Sequence, residues 1–173
     1  MTHNLATLIA FPVLIIYSAS AELLSLRNAG RVSVLLVGAF VVVGFAAQMP
    51  VDEILAGLAC GFAVLLVTFA LFCFGWISSG DAKLVAATAA WIGWDHLLDF
   101  AAVALFLGAG MSLALQLWRA RPLPAVFREK NWLTRLHDQA GPIPYGVAAA
   151  IAALMLYPGA QDWVRLLSDI RSV

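Results

Sequence analysis

An all-α, polytopic membrane fold of about six transmembrane helices is what this sequence predicts, on three observations. Of its 173 residues 63% are hydrophobic and only 12% are charged, a balance foreign to soluble domains of this size. Apolar runs of near-membrane length recur along the whole chain. Ten Lys and Arg offset ten Asp and Glu, and most of the cations gather in alternate connections between the runs. With no net charge and no basic surface, nothing suggests nucleic acid as a partner.

The first run, residues 4–21, follows "MTHN", which lacks a basic leader region, and no convincing cleavage site precedes Glu22. This segment is therefore expected to stay in the protein as span one. Runs 32–51 and 54–80 follow, separated by Asp52 and Glu53. The fourth run, 84–94, is short and must recruit flanking residues or tilt. It stays separate from the fifth, 100–118, only if "WIGWDHLLDF" breaks the helix. The sixth, 145–157, is short again. Between the last two spans lies a loop at about 119–141, whose two prolines precede a stretch suited to a short interfacial helix. Past Pro158 and Gly159, residues Trp163, Leu166, Leu167 and Ile170 share one face, as in a helix of about 160–171 lying on the interface.

Six spans put Arg27, Arg31, Lys83, Arg119, Arg121, Arg128, Lys130 and Arg135 on one side, eight of the ten cations. By the positive-inside rule that side is cytoplasmic, and both termini lie on the other. The expected organisation is one transmembrane domain over 1–173, surrounded by membrane lipids. The five basic residues of the 119–141 loop are expected to face anionic lipid. Trp76, Trp91, Trp94, Trp118 and Trp132 are expected to be interfacial anchors.

Glu22, the first charge in the chain, falls at the inner end of span one. Asp81, in "SSGDAKL", opens span four at the same membrane edge. Each has a plainer reading. Asp81 suits the N-cap of helix four, and Glu22 suits a headgroup-level carboxylate with only Ser18 and Leu26 one turn away. Ionisable residues at membrane depth nevertheless tend to mark function. Metal chemistry is not expected, because His96 and His137 lack ligand spacing and read as solvated loop residues. Cys60 and Cys73 share one apolar run and read as buried thiols. The span centres lack the ionisable residues of a transport pathway.

The segment "GWISSGDAKLVAATAAWIGW" resembles the surroundings of the second catalytic aspartate of prepilin leader peptidases, membrane aspartic proteases of the GxGD type. The likeness is to their short form, associated with Flp-type (tad) pili. "SAELLSLRNAGRVSVLLVGAF" resembles the family's passage from first to second span, and "GPIPYGVAAAIAALMLYP" its last span. This resemblance implies an endopeptidase of the bacterial inner membrane that cuts the leader from a prepilin at the cytoplasmic face. A carboxylate pair activates water there, without cofactor or metal, and other pilus assembly proteins are possible partners. The long form's cysteine-rich methyltransferase region has no counterpart, so no methyl donor is expected.

Residue by residue, the second aspartate corresponds to Asp81, with Gly80 and Lys83 matching its neighbours and Ser78 standing where the motif has its first glycine. The first corresponds to Glu22, and the family's following Ile-Pro-Asn is replaced by Asn28, Ala29 and Gly30. Pro144, Tyr145 and Gly146 open the last span, which borders the family's active site. Pro144 suits a first helical turn and Tyr145 an interface. Because a misplacement of about 1 Å can reduce rate on the order of a hundredfold, the longer Glu22 leaves two readings. One is a peptidase, and the other is a non-catalytic relative that binds prepilin within an assembly system.

Overall fold

The computed structural model describes residues 11–20, 29–120, 131–138, 141, 143 and 145–157. Its helices are α1 (Phe11–Ser20), α2 (Ala29–Ala46), α3 (Val51–Cys73), α4 (Ser79–Ile92), α5 (Leu97–Arg119), α6 (Asn131–His137) and α7 (Tyr145–Leu156). No strand occurs among the described residues. The 23-residue helices α3 and α5 are long and apolar enough to cross a membrane, while α1, α2 and α7 are shorter apolar helices. The expected interfacial helix at about 160–171 lies outside the described residues.

The six apolar runs return as six separate helices because the chain breaks at Gly93. Its φ of 76° is a backbone conformation open to glycine and strained for most other residues. The Gly93 N–H still donates to Ala89 O at 3.0 Å, closing α4. Trp94 then anchors the turn by donating from Nε1 to Ala56 O at 3.0 Å. The mixed stretch of the 119–141 loop is α6, as its composition predicts.

Helix α4 is the centre of the assembly, packed against α2, α3 and α7, with ten of its fourteen residues buried. Small side chains make this possible, and the closest approach is to α3. A Cβ on Gly61 would stand 2.9 Å from Ala86 O, and one on Gly57 2.8 Å from Ala90 O. Glycines four apart let two helix backbones meet, the usual device of membrane helix pairs. Further along the same seam, the Thr68 hydroxyl reaches Ala82 O at 3.2 Å besides bonding Val64 O in its own turn.

At the C-terminal end of α4, Trp91 is a core residue and not the interfacial anchor its position suggested. Its indole N–H donates to Leu36 O at 3.0 Å, which removes the need for a wet edge. Phe11 lies 5.2 Å from the Trp91 ring and stacks on Tyr157 at 4.5 Å, while Phe40 meets Trp91 edge-on at 5.5 Å. Since Phe11 bridges Trp91 and Tyr157 at one end and Asp81 meets Gly146 at the other, α4 and α7 run parallel.

Helix α5 braces α7. Ser112 Oγ donates to the Tyr145 hydroxyl at 3.1 Å, and Gly108 leaves room for the Tyr145 ring. Arg119 departs from the expectation of a lipid-facing cation, being only 6% exposed. Its Nε donates to Leu136 O at 2.8 Å and Nη1 to Gly141 O at 3.0 Å, clamping α6 and the approach to α7. The two thiols also differ, since Cys60 is buried as expected and Cys73 is exposed.

Candidate active site

The turn after α3 delivers Ser78 in an extended conformation, φ −76° and ψ 155°, as the N-cap of α4. Ser78 Oγ accepts from the Asp81 N–H at 3.1 Å, satisfying one of the free donors of the helix start. The Ser78 hydroxyl in turn donates to Asp81 Oδ2 at 2.9 Å. Asp81 is thus not the cap that its place after glycine suggested. It is the third helical residue, held by the cap in a Ser-x-x-Asp arrangement akin to a capping box.

The carboxyl group points inward and Asp81 is 2% exposed. Oδ1 accepts from the Gly146 backbone N–H at 3.1 Å. That N–H belongs to the first turn of α7, where backbone donors have no acceptor within their own helix. Asp81 therefore lies in the first turn of its own helix and against the first turn of a parallel neighbour. Both helix dipoles present their positive ends to it. The bracing of α7 through Ser112, Tyr145 and Arg119 fixes where the Gly146 donor points.

Of the residues marked by the sequence, the fold brings Ser78, Asp81 and Gly146 into contact. Tyr145 stands beside Gly146, half-buried and tied to α5, and Gly80 occupies the turn between Ser78 and Asp81. Lys83 does not join them. It is exposed on another face of α4, where it lines a groove between α2 and α3. Glu22 and Pro144 lie outside the described residues. On α1, the buried stripe Phe11, Ile15 and Ser18 runs in the direction of Glu22. The Ser18 hydroxyl has no hydrogen-bond partner among the described residues, although Ser20 donates to Ile16 O at 2.8 Å.

Neither histidine shares this site. His96 Nδ1 is 4.0 Å from Asp99 Oδ2, with both side chains exposed, and His137 packs edge-on to Trp118 at 4.9 Å. Among the described residues no group of three His, Cys, Asp or Glu side chains could hold a metal ion. The arrangement is a buried carboxylate, oriented by one backbone and one hydroxyl donor, at the mouth of a turn whose Ser78 is exposed. Such a group can take a proton from a water entering beside Ser78.

The Gly146 contact was beyond sequence reading in its detail, because a backbone donor 65 residues away leaves no side-chain signature. The Ser78 contact was legible from the three-residue spacing of Ser and Asp ahead of an apolar run. No curated protein and no solved structure matches the chain. Residues 30–113 match a family model described as the type IV leader peptidase family, a stretch that contains Asp81 and ends before Gly146. Across α2, α3, α4 and most of α5, just under half of the chain, the sequence is similar to the type IV leader peptidase family, the prepilin leader peptidases.

Proposed function

We propose that the chain is a membrane aspartic endopeptidase that removes the leader of type IV or Flp-type prepilins at the cytoplasmic face of a bacterial inner membrane. The observation that carries this reading is Asp81, a buried carboxylate held between two helix starts within the family-matching segment. A buried carboxylate is costly to keep without compensation, and here the compensation is directional. Six spans with both termini outside fit the exposed apolar surface of α3 and α5, where Phe62, Leu66, Leu105 and Phe106 are each more than half exposed. In that topology Lys83 and Asp81 stand at the inner edge, where a leader ends.

Glu22 is the proposed partner. In the six-span topology α1 and α4 run antiparallel, and Phe11 sets their level by touching Trp91. In sequence, position 22 follows the buried positions 11, 15 and 18 at the spacing of one helical face.

Both Asp81 oxygens accept hydrogen bonds, so the proton that the pair shares is assigned to Glu22. Asp81 takes a proton from water as its oxygen attacks the scissile carbonyl carbon, and Glu22 gives its proton to the carbonyl oxygen. Collapse of the resulting diol breaks the C–N bond: Asp81 passes its proton to the leaving amine, and one diol hydroxyl returns a proton to Glu22 as the new carboxyl group forms.

One observation favours the second reading, a binding or assembly component with impaired catalysis. Where the family motif has a glycine, the Ser78 hydroxyl occupies Asp81 Oδ2. The two readings part in one assay. Co-expression with a Flp-type prepilin is expected to shorten the precursor by its leader, followed by gel mobility and mass. An unprocessed precursor, with both proteins present in the membrane, overturns the peptidase reading in favour of the second.

A further inference from the structure

On the face of α4 turned away from Asp81, helices α2 and α3 both pack on α4 but touch each other little. They leave an apolar groove of about 620 Å³. Val34 and Gly38 line it from α2, Leu58, Phe62 and Leu65 from α3, and Lys83 closes one end. Two features set it apart from an ordinary seam. Gly38 opens into it, since a Cβ there would meet no atom within 4 Å. Lys83, one turn into α4, is exposed and has no carboxylate within salt-bridge distance among the described residues.

An apolar slot about two helical turns long, ending in an exposed ammonium with no carboxylate partner among the described residues, matches a molecule with a hydrocarbon chain and an anionic head. We infer that the groove holds an anionic phospholipid, one acyl chain lying between α2 and α3 and the headgroup phosphate on Lys83. The charge sets the choice of head, because an ammonium at the mouth attracts an anionic headgroup over a zwitterionic one. A lysine near a helix end reaches the headgroup level by extending its aliphatic stem, which places its charge where lipid phosphates are. The inference rests on the proposed membrane placement of α3 and α4. It does not depend on peptidase activity, so its test reads lipid and not cleavage.

The full chain, purified in detergent with equal amounts of phosphatidylglycerol and phosphatidylcholine, is examined by native mass spectrometry for retained lipid. Wild type is expected to keep one phosphatidylglycerol in preference to phosphatidylcholine. Lys83→Gln should reduce that preference about fivefold, the effect of one cation near a charged surface. Gly38→Trp, which fills the groove from a position with open space, should lower retention of both lipids while the helical circular dichroism stays unchanged. An unchanged preference in Lys83→Gln, or unchanged retention in Gly38→Trp, overturns the inference. Displacement of the lipid by a synthetic prepilin apolar segment reassigns the groove to substrate. A dimer lost in Gly38→Trp reassigns it to a second copy, and release by millimolar inorganic phosphate reassigns Lys83 to a free anion. Each of these also overturns it.

Discussion

At the Trp91 end of α4 the contacts to neighbouring helices are rings, with Phe11, Phe40 and Tyr157 gathered around one indole. About 15 Å away, at the Asp81 end, they are hydrogen bonds to a carboxylate, from Ser78 in the same turn and Gly146 on α7. Ring contacts contribute through buried area and tolerate small shifts. Carboxylate contacts are directional, and their worth lies in where they aim a charge. One helix thus has an end that holds the bundle together and an end that holds a buried carboxyl group, the group to which the proposed function gives the chemistry. Variants at the two ends should part stability from activity.

Asp81→Asn is the largest expected effect. The amide is nearly isosteric and can present its oxygen to the Gly146 N–H and its nitrogen to Ser78, so the thermal midpoint in detergent should stay close to that of wild type. Prepilin processing should fall by about 10²–10⁴-fold or more, since the variant cannot take a proton from water. Retained processing would move the chemistry elsewhere. Lost folding would make this end structural, erasing the contrast with Trp91.

Trp91→Ala tests the other end. Removing a core indole is expected to destabilise the fold by about 3–5 kcal/mol, measured by denaturant titration in detergent. Processing per folded molecule should be unchanged within about twofold. A specific loss of activity with little loss of stability would mean that the ring cluster also sets the geometry of the Asp81 end, for example through Phe11 and the register of α1.

Much of this contrast can be read along the chain, and the remainder fails for definable reasons. Helix number and the break in "WIGWDHLLDF" follow from apolar runs and one glycine, because those signals are local. Asp81 stands out as an ionisable residue at the edge of an apolar run, although its place after glycine also suits a helix cap. Trp91 and Arg119 mislead for a shared reason. Both types usually settle at a membrane interface, yet a backbone carbonyl from another helix satisfies each one inside: Leu36 O for the indole, Leu136 O and Gly141 O for the guanidinium. Such partners depend on how helices meet, and single-chain patterns do not encode that. The α3 seam had an unread signal, the glycines four apart in "GLACG".

That seam supplies an intermediate test. Gly61→Ala would set a methyl carbon 2.9 Å from Ala86 O, forcing α3 away from the middle of α4. The expected loss is about 1–3 kcal/mol of stability, with a smaller fall in processing, since Thr68 reaches the backbone at Ala82, next to Asp81. Equal losses at Gly61 and Asp81 in both assays would dissolve the division between the two ends.

The smallest effect is the most informative about Ser78. Replacing an N-cap serine by glycine costs only a few tenths of a kcal/mol, so Ser78→Gly should leave the thermal midpoint almost unmoved. It removes the hydroxyl from Asp81 Oδ2 and restores the residue type of the family motif. Losing one hydrogen bond of ordinary strength, about 1 kcal/mol, frees that oxygen for water and should raise the processing rate about fivefold. A fall in rate would instead make Ser78 a positioning residue whose bond aims Asp81, and the Asp81 end would then depend on its hydroxyl as the Trp91 end depends on its rings. Combining Ser78→Gly with Glu22→Asp separates the two departures from the motif. If each limits the rate through the geometry of one pair, the double variant should exceed the product of the single gains, because groups acting on the same proton transfer are not additive.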